Sequence, residues 1–144
     1  MPSKVHIGSG QVFEGEDVVV MHRLYLPDGN AVTTSNITGN MVLKVFEVGH
    51  PTRPDVPIST QTVAHGGSTT AGALFPGLIN DNYWDADSTG YNFKYRCQYG
   101  DTNTTSTVNY RGGRKYRHEF SVSTDSFGTM MWVSVIEVLA LSGV

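Results

Sequence analysis

The side chains of this sequence that could do chemistry are one cysteine, five histidines and a short acidic loop. Cys97 lies in an alternating segment, residues 91–100, where it shares a face with aromatic residues. A nucleophilic cysteine needs an adjacent base and electropositive, partly exposed surroundings. Free cysteines are far more often buried and inert, so we interpret Cys97 as a small core residue.

The histidines lack the i,i+2 or i,i+4 spacing that is typical of metal sites; they are His6, His22, His50, His65 and His118. Pairing of strands could bring His22 and His118 together on the core face. A zinc site would still need a third or fourth ligand of matching type. We therefore expect hydrogen-bonded core histidines and no bound metal.

The acidic loop, residues 85–90, resembles the front half of a calcium loop, with two alternating carboxylates, a hydroxyl group and a glycine. The twelfth position of such a loop should be a bidentate glutamate, and here it is Arg96. The segment is therefore predicted to be a turn that leads into the strand beginning at Tyr91. No cofactor is expected.

The sequence carries no motif of a known enzyme class. Gly-x-Ser-x-Gly, a phosphate-binding loop, paired carboxylates in a recognisable setting and a metal cluster are all missing. We therefore predict that the chain is not an enzyme.

A cationic group surrounds the Gly112–Gly113 turn: Arg111, Arg114, Lys115 and Arg117. A nucleic-acid patch would be more strongly basic and would have aromatic platforms beside it, and the net charge of the chain is −3. No nucleic acid is therefore expected as a partner. Two interpretations remain: a solvated hairpin tip, or rim charges of Arg111, Arg114 and Lys115 that steer docking on an acidic partner subunit.

The elements that must position these residues are short strands. The chain has 144 residues, which is one domain by length, and its charged fraction of 16% lies below the roughly 25% usual for soluble domains. Its 16 glycines and the scarcity of helix-forming runs indicate an all-β fold rich in turns. We predict an antiparallel β-sandwich of seven or eight short strands, with an N-terminal arm at residues 1–16 and a single domain at 17–144.

The predicted strands follow from alternation of apolar residues and from turn residues between them. A threonine-rich edge strand is expected at 58–64, and a long irregular loop runs from 65 to 87. The other predicted strands cover residues 17–26, 31–34, 41–48, 91–100, 108–110, 115–123 and 129–141. The longest apolar run, residues 130–141, is too short to span a bilayer, and no signal peptide precedes residue 17, so no membrane is expected.

The last strand is unusual because both of its faces are apolar. Met131, Val133, Val135 and Leu139 point one way, and Met130, Trp132, Ile136 and Val138 point the other. Such a strand needs cover on both sides, either from two layers of its own chain or from a second chain. We predict the second arrangement. Aromatic residues and methionine are enriched at interface centres, so the predicted interface contains Met130, Trp132, Ile136 and Trp84.

Three segments carry a resemblance to a known class of domain. The first is an alternating strand from Val18 to a turn at Asp28-Gly29, followed by Asn36-Ile37-Thr38-Gly39. The second is Trp84-Asp85-Ala86-Asp87 before Gly90-Tyr91-Asn92-Phe93, and the third is Gly113 to Phe120 before the two-sided strand. This pattern resembles the Ig-like β-sandwich domains of head decoration, baseplate and tail proteins of tailed bacteriophages.

The resemblance implies a virion structural protein that is assembled in the host cytoplasm. A capsid decoration (cement) protein fits best, since the chain ends at Val144 without the further modules of long baseplate proteins. Its partners would be the major capsid protein or other virion subunits, and its own copies in a threefold or other cyclic oligomer. The alternatives are a neck, tail or baseplate subunit, or a sugar-binding sandwich on a tail tip with Trp84, Tyr83 and Tyr91 as its stacking platform.

Overall fold

The computed structural model describes residues 9–52, 55–63, 73–82, 84 and 87–141. In that part of the chain the regular elements are nine strands and one 3₁₀ turn at Thr34–Asn36. The strands are β1 (Ser9–Phe13), β2 (Val18–His22), β3 (Ile37–Val48), β4 (Ser59–Val63), β5 (Leu74–Ile79), β6 (Tyr91–Tyr99), β7 (Thr107–Val108), β8 (Arg114–Thr124) and β9 (Thr129–Leu139).

These strands form two sheets. The larger has the order β1-β9-β8-β3-β4 and the smaller the order β2-β6-β5, with β7 paired to β6. The prediction of an all-β sandwich is confirmed, and β4 lies at an edge as expected. The pairing is not purely antiparallel, because β1 runs parallel to β9 and β7 runs parallel to β6. No helix in the described residues is long and apolar enough to cross a membrane.

The β8–β9 hairpin, which the alternating sequence predicts, lies at the centre of the larger sheet. Its register places Phe120 opposite Trp132 and His118 opposite Ser134. Gly128 closes the turn with a φ of 73°, a left-handed conformation that favours glycine. The amide of Thr124 donates to the carbonyl of Gly128 across this turn at 2.8 Å. β3 then pairs with the other edge of β8 and extends the sheet.

An aromatic cluster fills the space between the two sheets. The rings of Phe120 and Trp132 stack with centroids 5.6 Å apart and planes 6° from parallel. Phe93 on β6 meets both of them edge-on, at 4.9 Å from Phe120 and 5.1 Å from Trp132. Offset stacks and T-shaped pairs are the favoured aromatic geometries, and here the two T-shaped pairs of Phe93 join the sheets.

The N-terminal arm predicted for residues 1–16 needs correction. Ser9–Phe13 forms β1, an edge strand of the larger sheet, with Val12 opposite Val138. Its sequence is polar and contains Gly10, so it carries little strand signal of its own, and pairing with β9 supplies the order. Residues 1–8 lie outside the described part.

The long central loop also needs correction. Leu74–Ile79 forms β5, although Pro76 and Gly77 interrupt its pairing with β6, and the register shifts between its two ends. The strand predicted at residues 31–34 is reduced to a single bridge between Tyr25 and Ala31. Residues 65–72, 83, 85 and 86 of the predicted loop lie outside the described part.

Candidate interaction surface

The two apolar faces of β9 have different surroundings. Trp132 is 2% exposed, and Ile136 and Val138 are also buried between the sheets. Met131 on the opposite face is 54% exposed. The predicted interface positions Trp132 and Ile136 are therefore core residues, and Met130 is partly buried against the same core.

The misassignment has a simple physical origin. Both faces of β9 are apolar, so alternation separates the faces but does not say which of them is inside. The neighbouring strand decides, because every inward residue of β8 from Tyr116 to Val122 is buried, and Phe120 lies directly opposite Trp132. A two-layer sandwich covers only one side of each sheet, and the second apolar face of β9 consequently points outward.

We define the outer face as the outward side of the larger sheet. It has two apolar rows, which are Met131, Val133, Val135 and Leu139 on β9 and Val42, Phe46 and Val48 on β3. Phe46 is only 7% exposed, because the guanidinium of Arg117 lies over its ring. A charged row lies between them on β8, namely Lys115, Arg117 and Glu119. Phe13 on the edge strand β1 is 49% exposed, and Val48 at the end of β3 is 45% exposed. None of the described residues forms a third layer over this face.

The charges of the outer face interact with one another. Arg117 donates from Nε to Oε2 of Glu119 at 2.6 Å, and its guanidinium lies 4.5 Å from the centroid of the Phe46 ring. Gln11 donates from Nε2 to Oε1 of Glu137 at 2.8 Å. Exposed ion pairs stabilise a fold by at most about 1 kcal/mol. These contacts therefore fix the positions of the surface side chains but contribute little to the stability of the sheet.

The cationic turn, which we define as Arg111 to Lys115, lies at one end of the sandwich. The structure brings Arg111, Arg114 and Lys115 together there, all of them exposed. Arg114 donates from Nη1 to Oε1 of Glu47 at 2.9 Å, and this hydrogen bond raises its pKa.

Glu14 links three segments of the chain at the same end of the molecule. Its carboxylate accepts hydrogen bonds from the amides of Gly112 at 3.2 Å and Leu141 at 3.0 Å. A Cβ on Gly112 would lie 2.7 Å from that carboxylate and from Cα of Ala140. A glycine is thus required for the close approach of these three segments. The cationic turn therefore projects from a fixed base.

Trp84 is a buried residue and not a surface platform. Its Nε1 donates to Oδ1 of Asp87 at 2.9 Å, and its ring lies 5.7 Å from that of Tyr91, which is also buried. Arg23 pairs with the same carboxylate, and these hydrogen bonds lower the pKa of Asp87 well below its usual range. Trp84 and Tyr91 are consequently not open to a sugar ring or a partner, which corrects both predictions for Trp84. Tyr83 lies outside the described residues.

Two histidines make hydrogen bonds inside the core. His22 on β2 shares a hydrogen bond of 2.7 Å with Oγ of Ser134 on β9, and Nε2 of His118 shares one of 2.7 Å with the Tyr110 hydroxyl. The prediction of hydrogen-bonded core histidines is confirmed. Burial lowers the pKa of His118 to about 4, so its ring is neutral at pH 7. In the described residues no three His, Cys, Asp or Glu side chains form a potential metal site.

Cys97 is a core residue, as predicted. Its side chain is fully buried, and this burial raises the pKa of the thiol to about 12. The thiolate is the reactive form of cysteine, so this side chain has neither the charge state nor the access that nucleophilic chemistry needs.

The function of these surfaces has to be argued from their own geometry. No family model, no curated protein and no solved structure matches the chain. The outer face and the cationic turn therefore carry the proposals below.

Sequence analysis missed Asn92 completely. Alternation assigns it to the polar side of β6, yet it is fully buried. Its Oδ1 accepts from the amide of Leu24 at 2.7 Å, and its Nδ2 donates to the carbonyls of Leu24 at 2.9 Å and Val32 at 3.2 Å. An amide side chain can pair with backbone as a strand does, and here it ties the segment after β2 to the smaller sheet. Nothing in the local pattern distinguishes it from a solvated asparagine.

Proposed function

We propose that this chain is a structural subunit of a tailed-bacteriophage virion, and that it acts as a capsid decoration protein at junctions between capsid subunits. The outer face is the observation that carries the proposal. Exposed apolar surface on a small domain marks a site of protein contact, and here two apolar rows flank the charged row of β8 on one side of a sheet. Companion chains in a particle would cover it.

The strand order supports the Ig-like part of this proposal. Variable-type immunoglobulin domains place strands B, E and D in one sheet and G, F, C and C′ in the other. The orders β2-β6-β5 and β9-β8-β3-β4 follow the same sequence of connections. The parallel edge strand β1 adds to the second sheet beside β9.

The placement of the reactive side chains supports a structural role over an enzymatic one. Cys97, His22 and His118 are all fully buried, and both histidines are engaged between the sheets. A catalytic group must reach its substrate. In the described residues these side chains hold the layers together instead.

The cationic turn suits the contact with a shell. Arg111, Arg114 and Lys115 project from a base that Glu14 fixes, and positive rim charges steer association with an acidic surface. Each contact would be weak alone. Repetition over a symmetric lattice makes the total attachment strong, because later contacts form at sites whose geometry is already set.

Addition of the purified protein to undecorated shells of the cognate phage tests the proposal. We expect saturable binding in a number of copies set by the shell symmetry, with an increase in the temperature at which the shells disrupt. Arg111→Glu with Arg114→Glu should weaken binding, whereas the same charge reversal at Lys94, on the smaller sheet, should leave it unchanged. Failure to bind shells would refute the decoration role, and binding to tails or baseplates instead would assign the protein there.

A further inference from the structure

We propose that a second copy of this chain covers the outer face, in a two-fold dimer whose larger sheets pack face to face with β8 antiparallel to its symmetry mate. The inference rests on the proposed function, because it names the partner of the surface that carries that function. Of the cyclic oligomers expected for such a subunit, it selects the two-fold dimer in place of the trimer.

The size of the outer face fits such a dimer. Strands spaced about 4.8 Å apart with a rise of about 3.4 Å per residue give these five strands a face on the order of 700 Å². A standard stable interface buries about 800 Å² on each partner. The face of one copy is therefore the right size to cover that of another, at the spacing of about 10 Å at which sheets pack.

The charges of β8 select the orientation of the second copy. A two-fold axis that crosses the strands at the level of His118 places Arg117 opposite Glu119 of the other copy, and the reverse pair forms by symmetry. An axis parallel to the strands and passing over β8 would instead place Lys115, Arg117 and Glu119 each opposite its own copy. Like charges in direct opposition are unfavourable, so the first axis is the one that the sequence of β8 permits.

The neighbouring strands agree with the same axis. The level of His118 corresponds to Ser134 on β9 and to Val45 on β3. The axis therefore brings Val133 opposite Val135 of the second copy, and Lys44 opposite the Phe46 ring. Two valines then meet across the axis, Met131 lies opposite Glu137 of the second copy, and no cation of these three strands lies opposite another cation.

The net charge of the face also suits a second copy. Lys44, Lys115 and Arg117 are offset by Glu119 and Glu137, so the outer face is close to neutral although the whole chain carries a charge of −3. Two such faces do not repel one another. The dimer would leave the cationic turn at the end of each sandwich, where it remains accessible to a shell.

Charge exchange at the two β8 positions tests the proposal by sedimentation equilibrium. Glu119→Arg and Arg117→Glu should each raise the dimer dissociation constant by about tenfold or more, since each creates like-charge pairs across the axis. Mixing the two single variants should restore association as a heterodimer. The double variant, which exchanges both charges, should dimerise like the natural chain because it is again self-complementary.

A substitution in the apolar row provides the second arm. Met131→Asp should abolish dimerisation, whereas Val19→Asp should not, because Val19 is 49% exposed but lies on the smaller sheet. Thermal melts verify that both variants fold. A chain that stays monomeric at millimolar concentration, or single charge variants that mixing does not rescue, would overturn the proposal. A dimer that ignores shells refutes only the decoration role, and a monomer that binds shells refutes only the dimer.

Discussion

Two adjacent residues of β9 test which side of this strand forms the core. Trp132 is stacked on Phe120 and meets Phe93 edge-on, whereas Met131 projects from the outer face. Replacement of Trp132 by alanine removes the largest fully buried side chain of the described core and opens a cavity between the sheets. We expect this change to destabilise the fold far more than any truncation at Met131.

The expected magnitudes follow from packing. Truncation of a buried aromatic residue to alanine costs about 3–5 kcal/mol, because transfer free energy is lost and the cavity collapses only in part. Nε1 of Trp132 makes no hydrogen bond to any described residue, so the substitution leaves no partner unsatisfied. Trp132→Phe keeps the aromatic contacts and removes that donor, and it should cost only about 1 kcal/mol. Met131→Ala, on the surface, should stay within about 0.5 kcal/mol.

Urea denaturation measures these differences directly. The free energy of unfolding is extrapolated to zero denaturant for each variant, at a protein concentration below the dimer dissociation constant. Trp132→Ala should also lower the melting temperature by on the order of 10 °C. Equal slopes of the free energy of unfolding against urea concentration would show that each variant exposes the same surface area on unfolding.

The opposite ranking would refute the reasoning. If Met131→Ala cost several kcal/mol and Trp132→Ala less than about 1 kcal/mol, β9 would be paired one residue out of the register described here. A one-residue shift moves every side chain of a strand to the other face. The outer face, the proposed function and the dimer would then lose their common basis.

Three further predictions concern buried polar groups. Asn92→Ala should cost about 3 kcal/mol by urea denaturation, because it leaves backbone groups such as the Leu24 amide buried without a partner, whereas Asn80→Ala, at an exposed position, should cost well under 1 kcal/mol. Burial lowers the pKa of His118 to about 4, below the value of about 6.5 in the unfolded chain, so the unfolded state binds more protons between these values. The free energy of unfolding should be highest above about pH 6.5 and should fall by about 3 kcal/mol as the pH drops towards 4. His118→Gln should make the free energy of unfolding less dependent on pH in this range. Cys97, with a thiol pKa of about 12, should react with a thiol reagent only at the rate of unfolding, and rapid labelling of the folded chain would contradict its burial.

The parts of the fold that sequence analysis predicted are those in which one face of a strand is polar. In β8, charged residues alternate with Tyr116, His118, Phe120 and Val122, so burial of that face follows from the pattern alone. The same reasoning found β6 and the hairpin. It failed for β5, where Pro76 and Gly77 interrupt the alternation, and for β1, whose order depends on pairing with β9 near the other end of the chain. Long-range pairing of this kind leaves no local periodicity to read.

The surface was predicted only in outline, for a related reason. The two-sided character of β9 indicated that one apolar face would need cover from another chain, but its own sequence could not say which face. Trp84 illustrates the same limit. A tryptophan in a polar loop can be an exposed stacking platform for a ligand or a buried anchor for the loop, and the sequence fits both. The hydrogen bond from Trp84 to Asp87 decides for the anchor, and that contact depends on how the loop folds.

The core and the outer face are set by the same two strands. On β8 the inward His118 alternates with the outward Arg117 and Glu119, and on β9 the inward Ser134 lies between Val133 and Val135. A shift of β8 by one residue would expose the histidine and bury Lys115, Arg117 and Glu119 at a large desolvation cost, and a shift of β9 would take Ser134 out of the core. The hydrogen bonds of His118 to Tyr110 and of Ser134 to His22 therefore do more than stabilise the fold. They fix the register that keeps the charges on the outer face in their alternating order, and the proposed self-complementarity of that face depends on this order.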